Sequence, residues 1–211
     1  MKRLSLGVAA LMIGGCLTNV APAQANPKCS SGGPPADAVS HPFDGGTVWI
    51  SSDGLVGVTT PEGTGTLRVS TASPVPLQAM VIDAQNDGQR QLIVSDGRSA
   101  HLYLVIHCWI SETYDGQGEP FVFDLQNLRG RGTGVGCQDL GDGRHLVALQ
   151  ALPDGGGFVI NRTQINLDGT SALRGRSDSI PGASLDDPVV AAAMTITCGA
   201  QTMGTDGVQQ S

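Results

Sequence analysis

The sequence predicts an all-β protein. Three observations carry that expectation. Long helical periodicity is absent from the 211 residues. Short apolar runs alternate instead with Gly, Asp, Ser and Pro, as strands alternate with turns. Thirty Gly and twelve Pro beside 4% aromatic residues point to many tight turns.

The first element lies outside the fold. Met1, Lys2 and Arg3 precede LSLGVAALMIGG (4–15), which carries no charge. The run is too short and too Gly-rich to span a bilayer, which takes about 20 apolar residues. A basic start, a short apolar core and small residues up to Ala23-Gln24-Ala25 make residues 1–25 a secretory signal peptide. A second reading competes within it: Ile13-Gly14-Gly15-Cys16 resembles the lipobox of bacterial lipoproteins, in which Cys16 is lipidated. Cleavage after Ala25 is the cleaner match. Either way the chain is exported, as a secreted extracellular protein or, alternatively, lipid-anchored at the cell envelope.

Removing residues 1–25 takes away Lys2 and Arg3. Ten basic residues then face nineteen acidic ones, a formal charge of about −9. An acidic chain without a Lys/Arg cluster repels nucleic acid. Arg129 and Arg131 are a pair, not a patch. No transmembrane segment and no basic amphipathic helix is expected.

Residues 26–46, with four Pro and four Gly, read as a leader. A single β domain follows over 47–198. TVWIS (47–51) and LVGVT (55–59) flank Ser52-Asp53-Gly54, a hairpin turn. TLRVST (66–71), LQAMVI (77–82) and QLIVS (91–95) continue the pattern. AHLYLVIHCWI (100–110) is the clearest strand: Leu102, Leu104, Ile106 and Cys108 fall on one face, His101, Tyr103, Val105 and His107 on the other. PFVFDL (120–125) returns as strand, and Gly-rich NLRGRGTGVG (127–136) reads as loop. RHLVALQAL (144–152), GFVINRTQI (157–165) and SALRG (171–175) are strands. Asp187-Pro188 is placed to start a short helix through Ala193, before a last strand, MTITC (194–198). Residues 199–211 read as a disordered tail.

With Cys16 removed or lipidated, Cys29, Cys108, Cys137 and Cys198 remain, enough for two disulfides. No C-x-x-C pair occurs, which argues against a clustered zinc site. The ends of compact domains lie close together. That predicts Cys29–Cys198, leaving Cys108–Cys137.

Two stretches align with each other: IDAQNDGQRQLIV (82–94) and CQDLGDGRHLVAL (137–149). Each places an Asp-Gly step, Asp87-Gly88 or Asp142-Gly143, ahead of Leu and further apolar residues. Repetition at such a period suggests propeller blades or a related array. The stretches resemble FG-GAP/VCBS repeats, the blades of integrin-like β-propellers in exported bacterial proteins, actinobacterial ones among them. Asp83-Ala84-Gln85-Asn86-Asp87-Gly88 keeps the first Asp, the last Asp and the Gly of that family's loop, while 138–143 keeps only the final Asp-Gly. The resemblance implies a small β-propeller or partial propeller; a β-sandwich is the alternative. It also implies a calcium site at Asp83, Gln85 and Asp87, set against a metal-free turn whose carboxylates cap backbone N–H groups.

Motifs for catalysis are sparse. There is no G-x-S-x-G elbow. His41, His101, His107 and His145 are scattered, and His101 and His107 lie roughly 20 Å apart on a strand. Glu112 and Glu119 share one loop, as an acidic chain allows by chance. Asn161-Arg162-Thr163 is a glycosylation sequon that reads as accidental. The expected function is an exported, non-enzymatic binding or interaction module for an extracellular or envelope ligand. The alternatives are an extracellular hydrolase acting on carbohydrate and a structural envelope lipoprotein.

Overall fold

In the computed structural model, residues 29–125 and 132–211 are described. The signal segment with Cys16, the first leader residues and 126–131 lie outside the described residues. Four strands open the fold: β1 (Val39–Phe43), β2 (Gly46–Ile50), β3 (Leu55–Thr60) and β4 (Gly63–Arg68). They pair in chain order as an antiparallel meander. A second meander follows with β5 (Gln78–Ile82), β6 (Arg90–Ser95), β7 (Ser99–Ile106) and β8 (Trp109–Glu112), and β9 (Val122–Asp124) pairs with the start of β7. The third runs through β10 (Gly132–Asp139), β11 (Arg144–Asp154), β12 (Gly157–Asp168) and β13 (Ser171–Gly182). Helix α1 (Pro188–Ala192), the hairpin β14 (Thr197–Cys198) and β15 (Gln201–Thr202), helix α2 (Met203–Asp206) and β16 (Val208–Gln209) complete the chain. None of these sheets closes on itself.

The three meanders stack face against face. Val48, Ile50, Val56 and Val58 of the first pack on Ala79, Val81, Leu92, Val94, Tyr103 and Val105 of the second. The opposite face of the second sheet, with Met80, Ile82, Ile93 and Leu102, packs on Val135, Leu146, Ile165 and Ala172 of the third. The third sheet's outer face, through Val147, Leu149, Ala151 and Ile160, receives Val190 and Ala193. The middle sheet is thus buried on both sides, which explains why β5 and β6 are continuous apolar runs rather than alternating ones. Each fully buried aliphatic side chain there contributes on the order of 1.5–3 kcal/mol.

Several expectations need correction. The strand 100–110 is two strands: β7 ends at Ile106, the chain turns through His107 at φ 59°, and β8 returns with Trp109 opposite Ile106. The assigned faces have the right parity, but both are buried from Leu102 to Val105. Gly132–Gly136 is strand, not loop. Gly134 reflects close approach: a Cβ there would stand 2.9 Å from the Ala192 carbonyl oxygen. The leader contains β1. Of 194–198 only Thr197–Cys198 is strand, while Thr195 accepts from the Val135 N–H at 2.9 Å. The helix after Asp187 forms as expected, with the Asp187 carboxylate accepting from the Val189 N–H at 3.0 Å.

The tail is ordered. Val208, 3% exposed, enters the core between the first and second sheets, and β16 covers the edge of β5. Gln210 donates from its backbone to the Leu77 carbonyl at 2.8 Å and from its side chain to the Ser52 carbonyl at 2.9 Å. Pairing this edge removes a template for aggregation.

The disulfides are Cys29–Cys108 and Cys137–Cys198, with Cα–Cα distances of 5.9 and 4.6 Å. The expected pairing fails because the two chain ends do not meet at their cysteines. Ser30 bridges to Thr64 of β4, which places Cys29 beside the β7–β8 turn. Ile196 bridges to Val135 of β10, which brings Cys198 to Cys137.

Candidate functional site

Each meander has a first turn, and the three differ in length. Between β1 and β2 it is Asp44-Gly45, with Gly45 at φ 98°. Between β5 and β6 it is the stretch carrying the calcium candidates. Asp83 accepts from the Asp87 N–H at 3.1 Å through one carboxylate oxygen. Its other oxygen accepts from the Gly88 N–H at 3.0 Å and contacts an Arg90 guanidinium nitrogen at 3.4 Å. Asp87 caps the Gln89 N–H at 2.9 Å. Asn86 at φ 59° and Gly88 at φ 86° take the left-handed backbone such a turn needs.

Calcium takes six to eight oxygens. Asp83, Gln85 and Asp87 offer three side chains, and both Asp83 oxygens already have donors. No group of three or more His, Cys, Asp or Glu among the described residues is arranged to hold a metal ion. The stretch fits a self-capped turn better than a calcium cage.

The β10–β11 turn repeats the device one residue later than the alignment suggests. Asp139, not Gln138, accepts from the Gly141 and Gly143 N–H groups at 2.6 and 3.0 Å. Those donors hold its carboxyl below the usual carboxylate range. Asp139 falls in the aligned slot that Ala84 holds in the first stretch; the signal that marks it is an Asp followed within four residues by two glycines.

Two arginines follow these turns at matching positions. Arg90 opens β6 and Arg144 opens β11, each two residues ahead of a fully buried leucine, Leu92 or Leu146. Leu92 faces the first sheet and Leu146 the second. Each arginine therefore reaches back to the first turn of the preceding meander. Arg90 donates to the Asp44 carboxylate at 2.5 Å. Arg144 donates to the Asn86 side-chain oxygen at 2.8 Å and to the Cys198 sulfur at 3.0 Å.

Phe43, Asp44, Asp83, Asn86, Arg90 and Arg144 line one cleft of about 470 Å³, closed on another side by 198–201. That volume lies in the range of small-molecule sites. A cleft of about 490 Å³ at the other end of β5, past Gln78, Ser95 and Met203, is lined by no charged side chain. The polar cleft is the better candidate because it holds directional charged groups.

The remaining candidate residues stay apart. His41 contacts the Pro42 carbonyl at 2.8 Å, and the His101 ring stacks near Tyr103 with centroids 6.5 Å apart. His107 lies 3.6 Å from Glu62, and His145 lies 3.5 Å from Asp142. Glu112 accepts from the Tyr114 hydroxyl at 3.4 Å, while the Glu119 N–H binds Asp115 at 3.0 Å. Asn161 accepts from Ser179 at 2.8 Å within the third sheet. Among the described residues no helix is long and apolar enough to cross a membrane. No family model, curated protein or solved structure matches this chain.

Proposed function

We propose that this chain is an exported, non-enzymatic binding module whose ligand occupies the cleft between the first turns of the three meanders. One observation carries the reading: residues at or beside the β1–β2, β5–β6 and β10–β11 turns line the same polar cleft. Repeated four-stranded units whose equivalent turns gather at one end follow the plan of a propeller. Three units fall short of the roughly four to eight of a closed ring, so the architecture reads as a partial propeller akin to FG-GAP/VCBS proteins. Export rests on the signal segment and on cysteines paired as an oxidising compartment allows.

The test is a thermal-shift screen of the mature protein against small organic acids, sugars and short peptides. A stabilising compound should lose its effect in the Arg90→Gln and Arg144→Gln variants. It should keep its effect when Gln78, in the uncharged cleft, becomes Ala. Hits indifferent to both arginines would overturn the assignment of the site.

A further inference from the structure

We propose that the polar cleft takes a small organic anion, with a carboxylate or phosphoryl oxyanion seated on Arg144. The inference rests on reading the cleft as the ligand site and adds the chemistry of the ligand. The two arginines occupy equivalent positions, yet their charges are answered differently. Arg90 lies between two carboxylates, Asp44 at 2.5 Å and Asp83 at 3.4 Å. Where Arg90 finds Asp44 on the preceding turn, Arg144 finds the neutral Asn86.

Among the described residues Arg144 has no carboxylate within ion-pair distance. Its Nε is buried without an acceptor. A guanidinium carries five N–H donors in a planar fork suited to oxyanions. Here Asn86 and Cys198 each accept from one of its terminal nitrogens. A partly buried cation lacking its counterion favours recruiting one.

Two further features support an anion at this point. Gly199, at φ 63°, brings the backbone so near that a Cβ would lie 3.4 Å from the Arg144 Nη2 atom. A Cβ there would sit in van der Waals contact with the fork. Asp44, whose side chain is 91% exposed on the rim, shows a carboxylate of the chain itself seated on the equivalent arginine, Arg90. The chain's net charge of −7 opposes long-range attraction of anions. Recognition is therefore local, and the ligand is small.

The experiment is an NMR titration of the ¹⁵N-labelled mature protein at low ionic strength, with succinate in one arm and inorganic phosphate in the other. One saturable site is expected, with shifts at the Arg144 side chain and the Asn86, Gly199 and Ala200 amides. The tighter arm identifies the oxyanion class. Asn86→Asp installs the missing carboxylate at an exposed position and is expected to weaken binding at least about tenfold. Arg144→Gln is expected to do the same, and Asp44→Asn to tighten binding by releasing Arg90. No saturable shift with either probe, or wild-type affinity in Asn86→Asp, would overturn the proposal. Because Asn86→Asp keeps Arg144 in place, its result does not depend on whether the Gln variant folds. A neutral compound bound in the cleft, with no response to either anion, would spare the proposed function and sink this inference alone.

Discussion

The first turns of the second and third meanders are built on one plan and end differently. In both, an aspartate caps two backbone N–H groups, a Gly with positive φ closes the bend, and an arginine opens the next strand. In the second, the arginine is neutralised by Asp44 and Asp83. In the third, Asp139 is spent on the turn, and Arg144 leans on an amide and a sulfur. The capping aspartate serves the fold in both turns. The arginine is paired with two carboxylates in one, and in the other it has no carboxylate within ion-pair distance among the described residues.

The largest expected effect comes from cutting the covalent tie that only the third turn has. Cys137–Cys198 joins residues 61 apart in sequence, just ahead of Asp139. Replacing both with Ser should cost about 4 kcal/mol in the chain-entropy model, read from urea unfolding. The 198–201 wall of the cleft should loosen first, seen as faster amide exchange at Gly199 and Ala200. A loss confined to the far end of the sheet would mean the disulfide does not hold the cleft.

Next is a third aspartate using the same device in a buried setting. Asp96 is 7% exposed at the β6–β7 turn. Burial alone would raise its pKa, but the Thr71 hydroxyl and the Ser99 and Arg98 N–H groups outweigh that and bring it to about 2 from 3.8. Because the folded value is the lower one, its stabilisation is complete above the ordinary value and drains away as pH falls toward about 2. The difference is on the order of 2 kcal/mol. Denaturation measured across this acidic range should steepen accordingly, and Asp96→Asn should flatten the curve. An unchanged slope in the variant would contradict the hydrogen-bond account.

A smaller effect separates the two capping aspartates. Asp83 serves two N–H groups and Arg90, so Asp83→Ala should cost about 1–2 kcal/mol. Asp139→Ala should cost less, since the residue has no arginine to release. Millimolar calcium should leave the wild-type melting temperature unchanged, because the oxygens of Asp83 already have donors. A calcium-dependent rise abolished by Asp87→Ala would restore the metal reading of Asp83, Gln85 and Asp87.

Much of the strand pattern was legible in the sequence because turn chemistry is local. Ser52-Asp53-Gly54, Asp154 to Gly156 and Asp168-Gly169 mark bends that the structure keeps. The alignment of 82–94 with 137–149 also found two stretches that fold as equivalent turns. What the sequence hid is long-range. The run at 132–136 looks like loop because the reason for Gly134, the approach of Thr195 and Ala192, lies some sixty residues away. The tail looks disordered because Val208 and Gln209 are strand only against Ala79 and Gln78. The disulfide pairing is not legible from chain position because it follows which sheet edges meet, not which residues are terminal. Arg144 carries no mark in the sequence because its meaning comes from contrast with Arg90, and that contrast exists only once the meanders stack.

The central claim is that the first turns of three stacked meanders form one ligand site. The most direct measurement is an amide shift map of the mature protein with a stabilising ligand from the thermal-shift screen. The account predicts perturbed amides clustered at Asp44 and Gly45, across Asp83 to Arg90, at Arg144, and at 198–201. Shifts gathered instead around Gln78, Thr133, Thr195 and Met203, at the opposite end of the middle sheet, would contradict it.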